Sequence, residues 1–89
     1  MLIMFSVYIL YSPSSSKTYV GFTNNIMRRL EEHNFTESKG FTLRYRPWVL
    51  IYTEEIEFKF DAMKREKYLK TGVGREEIKI IVKKFIENQ

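Results

Sequence analysis

Apolar positions follow two rhythms along this chain, and the rhythm changes at clusters of polar residues. From Leu2 to Tyr11 the residues are mostly β-branched or aromatic; the break Ser12-Pro13-Ser14-Ser15-Ser16 leads to a second short run, Lys17 to Thr23. Two such runs around a turn-forming segment predict an antiparallel hairpin. The period then lengthens. Ile26 and Leu30 mark the buried stripe of a helix over Asn25 to His33, with Thr23 or Asn24 as its cap and Asn34 as its end. Phe35 to Arg46 holds no sustained period and carries Lys39, Arg44 and Arg46 beside Phe41 and Tyr45, so it reads as a basic, aromatic loop.

Trp48 to Glu55 has bulky residues on both alternating faces, Trp48, Leu50 and Tyr52 against Val49 and Ile51, which predicts a central strand covered on both sides. Helical spacing returns from Phe58 to Lys70, with a glycine stop at Thr71-Gly72. A second amphipathic helix follows over Arg75 to Glu87, with Ile78, Ile81, Val82 and Phe85 on its apolar face. The expected fold class is α+β: a three-stranded antiparallel sheet flanked by helices, in the order β-β-α-β-α-α. A chain of 89 residues buries only about 60–65% of its unfolded surface, so one domain over residues 1–89 is expected.

Composition narrows the chemistry. There is no cysteine and one histidine, His33, which leaves no disulfide and no zinc cluster of the usual four-ligand kind. A metal would have to be held by oxygen. The net charge of +4 suits a polyanionic partner, because Lys and Arg neutralise phosphates and release condensed counterions; a solvated cationic surface would have the same charge. The apolar start lacks a basic flank and is too short to span a bilayer, so it is expected to be a buried strand in a cytoplasmic protein with no membrane partner.

Glu66 is a conspicuous carboxylate. At helical spacing it lies about 40° from Ala62, about 60° from Leu69 and about 80° from Phe58, on the border of an apolar stripe. A salt bridge would account for it, and so would a hard divalent cation such as Mg²⁺. Arg29 and His33, four apart, share one edge of the first helix beside Ile26 and Leu30. Tyr8 and Tyr19 fall on the two hairpin strands, where tyrosines ordinarily pack with their hydroxyls satisfied. Gly21 interrupts the second strand, which fits either a bulge or the close approach of another group, such as a substrate backbone. Lys39, Arg44, Tyr45 and Arg46 combine cations with aromatic rings. They suit phosphate contact and base stacking, and equally a loop folded onto the domain.

Ser6-Val7-Tyr8, Tyr19-Val20-Gly21 and Arg29, with Arg46-Pro47-Trp48 and the stretch Asp61 to Lys67 around Glu66, make a pattern that resembles the GIY-YIG endonuclease superfamily over nearly the whole chain. The resemblance implies a divalent-metal-dependent nuclease, using Mg²⁺ or Mn²⁺, that hydrolyses phosphodiester bonds in nucleic acid, DNA ahead of RNA. Within the superfamily the chain looks like the small stand-alone bacterial branch. The resemblance also implies site roles. Glu66, in the Ala62-x-x-x-Glu66 spacing, would hold the metal; Arg29 would clamp a phosphate; His33 would join the catalytic group; and Tyr8 or Tyr19 would take a proton from the attacking water. Lys39, Arg44, Tyr45, Arg46 and Gly21 would contact the nucleic acid. The first motif departs from the pattern, with Ser6 where the superfamily has glycine, and no role is carried over to Asn88. The rival expectations are a catalytically silent nucleic-acid-binding module and a structural or adaptor domain.

Overall fold

The computed structural model describes residues 4–89, so the part of the first expected strand at Leu2 and Ile3 lies outside the described residues. Strands β1 (Phe5–Ser12) and β2 (Lys17–Thr23) form the expected hairpin, and β3 (Val49–Ile56) pairs antiparallel with the other side of β1. The order in the sheet is β2-β1-β3. The central strand is therefore β1, not Trp48 to Glu55 as expected. Every β1 residue after Phe5 is buried, whereas β3 turns exposed at Thr53 and Glu55, polar groups that an edge can leave in water.

Because side chains alternate across a strand, β1 serves two cores. Val7 and Ile9, with Val20, pack against Ala62, Leu69 and Ile78 of helices α3 (Lys59–Leu69) and α4 (Gly72–Glu87). Tyr8 and Leu10 join Trp48, with Ile26 and Leu30 of helix α1 (Ile26–Glu31) packed against them. Pairing with β2 is regular, Tyr8 opposite Gly21 and Leu10 opposite Tyr19. The bulge falls instead between β1 and β3, where Ile9 faces Tyr52 and Leu10 faces Leu50.

Asn25 caps α1, its side chain accepting the Arg28 N–H at 3.0 Å, one residue beyond the expected caps. The helical path does not stop at Asn34. It widens into a π-helical segment, Glu32–Thr36, and Asn34 instead exchanges two hydrogen bonds with the Trp48 backbone, at 2.7 and 3.0 Å. The expected loop contains a short helix, α2 (Phe41–Arg44). At the other end of the chain Gly72 begins α4 rather than ending α3. Thr71 caps that helix by accepting the Gly74 N–H at 3.2 Å while donating its hydroxyl to the Tyr68 carbonyl at 2.6 Å. Arg65 ties the layer together, pairing with Glu54 of β3 and, at 2.6 Å, with Glu77 of α4. Among the described residues no helix is long and apolar enough to cross a membrane.

Candidate active site

The site grows out of the Tyr8–Gly21 pair. A Cβ on Gly21 would stand 2.5 Å from the Tyr8 hydroxyl oxygen and 2.7 Å from its Cζ, so the missing side chain is what lets the Tyr8 ring lie across β2. The group approaching Gly21 is thus Tyr8 of the chain itself, and not a bulge, since the pairing there is regular.

Tyr8 is buried, and its hydroxyl lies 2.8 Å from Nε2 of the fully buried His33. Burial, opposed in part by Glu37, and the positive charge of Arg29 hold the imidazole below its ordinary pKa. The neutral ring can therefore accept the Tyr8 O–H at Nε2. Nδ1 then carries the proton and faces Glu37 Oε2 at 3.5 Å, at the outer limit of hydrogen-bond reach, with no other partner among the described residues. Burial also raises the Tyr8 phenol well above its ordinary value, helped by Tyr19 and Glu66 and opposed by Arg29.

Arg29 reaches this cluster from α1. Its Nη1 donates to Glu32 at 2.8 Å and lies 3.1 Å from Glu37. Burial works against ionisation of Glu37, but the hydroxyl of Thr42, His33 and Arg29 outweigh it and hold the carboxyl below its ordinary value. Thr42 also supplies the carbonyl that accepts the Trp48 indole N–H at 2.7 Å. Tyr19 stands edge-on to His33, ring centroids 4.8 Å apart, and 6.2 Å from the Tyr8 ring. Its other side meets Phe41, 6.5 Å away and stacked; the Phe41 ring is itself half exposed.

Glu66 lies on α3 between buried Ala62 and Leu69, its side chain 22% exposed, while Phe58, expected on the same stripe, is in water. Its partner is Lys70, 3.5 Å away and half exposed. Such a pair on the margin of solvent stabilises little. Among the described residues no three His, Cys, Asp or Glu side chains are placed to hold a metal ion together. The donor set fits a hard divalent cation that binds through one carboxylate and keeps most of its waters; it does not fit zinc.

The sequence-predicted site residues thus fall into three groups. Tyr8, Tyr19, Arg29 and His33 come together, with Glu66 near enough to act on the Tyr8 charge. Lys39 and Arg44 are exposed, and Tyr45 holds Lys17 Nζ 5.7 Å over its ring. Arg46 is different. Its guanidinium donates to the carbonyls of His33 at 2.6 Å, Glu37 at 2.8 Å and Glu32 at 3.3 Å, closing the end of the π-helical segment, so its donors are committed within the chain. Glu32, Glu37 and Thr42 escaped the sequence reading. Glu37 follows His33 by four residues, a helical spacing that a helix ending at Asn34 concealed.

Known proteins resemble this chain over most of its length. Residues 4–79 match the family model described as the GIY-YIG catalytic domain. A UPF0213 protein of Limosilactobacillus reuteri is 37% identical over 78 residues, covering 85% of this chain and 80% of its own length. One from Staphylococcus haemolyticus is 36% identical over 75 residues, covering 84% and 90%. The solution NMR structure of a UPF0213 protein from Bacillus halodurans superposes with a TM-score of 0.51 at 25% identity, over 84% of this chain and 81% of that one. With the catalytic-domain model matching residues 4–79, most of the chain, the chain belongs to the GIY-YIG family, whose catalytic domain is of the nuclease type.

Proposed function

We propose that this chain is a cytoplasmic, divalent-metal-dependent endonuclease that hydrolyses phosphodiester bonds in nucleic acid, DNA ahead of RNA. The observation that carries the reading is the 2.8 Å contact between the Tyr8 hydroxyl and His33 Nε2, made possible by Gly21. A raised phenol pKa makes a standing phenolate at Tyr8 unfavourable, so the proton moves in relay. Tyr8 passes its proton to neutral His33 as it takes one from the attacking water, and Glu37 steadies the imidazolium. Tyr8 is preferred over Tyr19 as the base because its hydroxyl has an acceptor. Arg29 offers a planar two-pronged donor to the phosphate as charge builds. Glu66 would hold Mg²⁺ or Mn²⁺, which when bound supplies Lewis-acid stabilisation of the phosphate and the leaving oxygen. Lys39, Arg44 and Tyr45 would hold the nucleic acid beside the site.

One observation favours a second reading, a binding module that does not cut: Arg29 is already neutralised by Glu32 and Glu37. Single-turnover cleavage measured beside equilibrium binding separates the two. The parent protein should cleave DNA with Mg²⁺ or Mn²⁺ and not in EDTA. Arg29→Lys should keep affinity but slow cleavage by about 10²-fold, since it retains charge and loses the fork. Glu66→Gln should bind without cutting. A parent that cuts no single-stranded or duplex DNA or RNA, and loses affinity only in Arg29→Ala, is a binder. Cleavage in EDTA would remove Glu66 from the role given to it.

A further inference from the structure

A concavity lies away from the Tyr8–His33 pair, between the hairpin and α4, and has a volume of about 890 Å³. Much of its lining follows from the sequence of α4. Arg75, Lys79 and Lys83 succeed one another at four-residue steps, as do Ile78, Val82 and Ile86, so the helix lays a cationic stripe alongside an apolar one. Both stripes line the groove, and Lys70 adds a fourth cation. The acidic groups nearby are few. Glu87 stands on the rim, Glu76 pairs with Lys79 at 3.2 Å with both side chains in water, and Glu66 pairs with Lys70.

Two groove residues border the site. Tyr19 lines the groove and stands edge-on to His33; Lys70 lines it and pairs with Glu66. The groove lies on the α4 face of the sheet and the Tyr8–His33 pair on the other, with β2 at the edge between them. A polymer seated in the groove would therefore reach the residues proposed to cut it by rounding that edge at Tyr19. Resting on the nucleic-acid reading above, we infer that the α4 groove is the track of an unpaired nucleic-acid strand running out from the active site. Phosphates follow Arg75, Lys79 and Lys83, and bases turn toward the apolar floor. A single strand is the occupant that fits, because an apolar floor beside a cationic rim matches unstacked bases joined by phosphates, while a duplex presents its phosphates outward and keeps its bases stacked.

Equilibrium anisotropy in EDTA, with labelled oligo-dT of about 4 and about 16 nucleotides, tests the track. The parent should gain affinity with length. Lys79→Glu combined with Lys83→Glu, both on exposed positions, should weaken binding of the longer strand by about tenfold or more and lower its salt slope by about 1.4. The control is Lys59→Glu with Lys64→Glu, exposed on α3 outside the groove and identical in charge change; it should keep the gain with length.

The track is overturned if the gain survives the α4 pair, if the control pair abolishes it equally, or if a duplex of the same length loses as much. It is also overturned if sedimentation shows that the parent is a dimer that the α4 pair dissociates, because the groove then holds a second copy. Cleavage is scored separately. A parent that keeps the gain with length but cuts nothing sinks the nuclease reading and leaves the track, whereas cleavage without the gain does the reverse.

Discussion

On one side of the sheet Val7, Ile9 and Val20 meet Ala62, Leu69 and Ile78, and what is buried there is hydrocarbon. On the other side Tyr8, Leu10 and Trp48 share the interior with His33 and Thr42, and by strand alternation Ser6, Ser12 and Thr23 project to that side too. The first side needs only shape to be stable. The second must satisfy each buried polar group or lose the cost of its desolvation. It does so, save at His33 Nδ1, which has Glu37 only at 3.5 Å, through a linked set: Tyr8 to His33, Thr42 to Glu37, Trp48 to Thr42, and Arg46 to three carbonyls. The two sides divide the labour, so that stability is concentrated under α3 and α4 while the side that carries the chemistry depends on hydrogen bonds.

Two glycines, one on each side, put that division to the test. A Cβ on Gly74 would stand 2.1 Å from the Tyr68 carbonyl oxygen and 2.5 Å from the Leu69 Cα, both backbone atoms of the α3–α4 junction. Gly74→Ala should therefore cost about 3 kcal/mol or more in urea unfolding. A loss below about 1 kcal/mol would mean that the junction yields and that the apolar side is not the rigid one. Gly21→Ala meets a side chain instead, 2.5 Å from the Tyr8 hydroxyl, and a ring can swing. Its unfolding cost should be only about 1 kcal/mol, while displacement of Tyr8 from His33 slows single-turnover cleavage by about 10²-fold. Parental cleavage by Gly21→Ala would detach the Tyr8–His33 bond from catalysis.

Arg46 and its neighbours sharpen the comparison within the polar side. Arg46→Ala removes donors from three carbonyls at the end of the π-helical segment, and should lower stability by about 2 kcal/mol with little change in the salt dependence of binding. Lys39→Ala with Arg44→Ala should do the opposite, flattening the salt slope by about 1–2 at unchanged stability. If Arg46→Ala alone flattens the slope, its guanidinium meets phosphate after all.

The smallest effect is a pH dependence. His33 is held below its ordinary value of 6.5, so between the folded and unfolded values the unfolded chain binds more protons. The stability this contributes is full above about pH 6.5 and is lost as pH falls toward the folded value. Thermal unfolding of the parent should weaken through that window, and His33→Gln should be flat across it until carboxylates titrate. A parent that is flat there would mean that His33 is not kept neutral.

Much of this arrangement was legible in the chain. The hairpin and the two last helices follow from local periodicity, a property of neighbouring residues, whereas the Tyr8–Tyr19–Arg29–His33 set is singled out only by the resemblance to the GIY-YIG pattern. Local pattern does not show which strand is central. Trp48 to Tyr52 is bulky on both alternations, yet Thr53, Glu54 and Glu55 place β3 at the edge, and only competition among three strands for the middle ranks them. Phe35 to Arg46 has no period of its own; its order comes from Asn34 bonding to the Trp48 backbone, the Thr42 carbonyl accepting the Trp48 indole N–H, and Arg46 donating to the carbonyls of Glu32, His33 and Glu37.

The sequence by itself determined the order of most elements, the cationic balance and the residue types of the site, since each depends on local propensity or simple counting. Tertiary structure alone decided three things. It set Tyr8 across Gly21, committed Arg46 to carbonyls, and brought Glu37 to both Arg29 and His33. The reason is common to all three. Each is a distance between groups that separate elements must bring together, and the energy of such a contact exists only once the sheet has closed and excluded the water that would otherwise satisfy those groups.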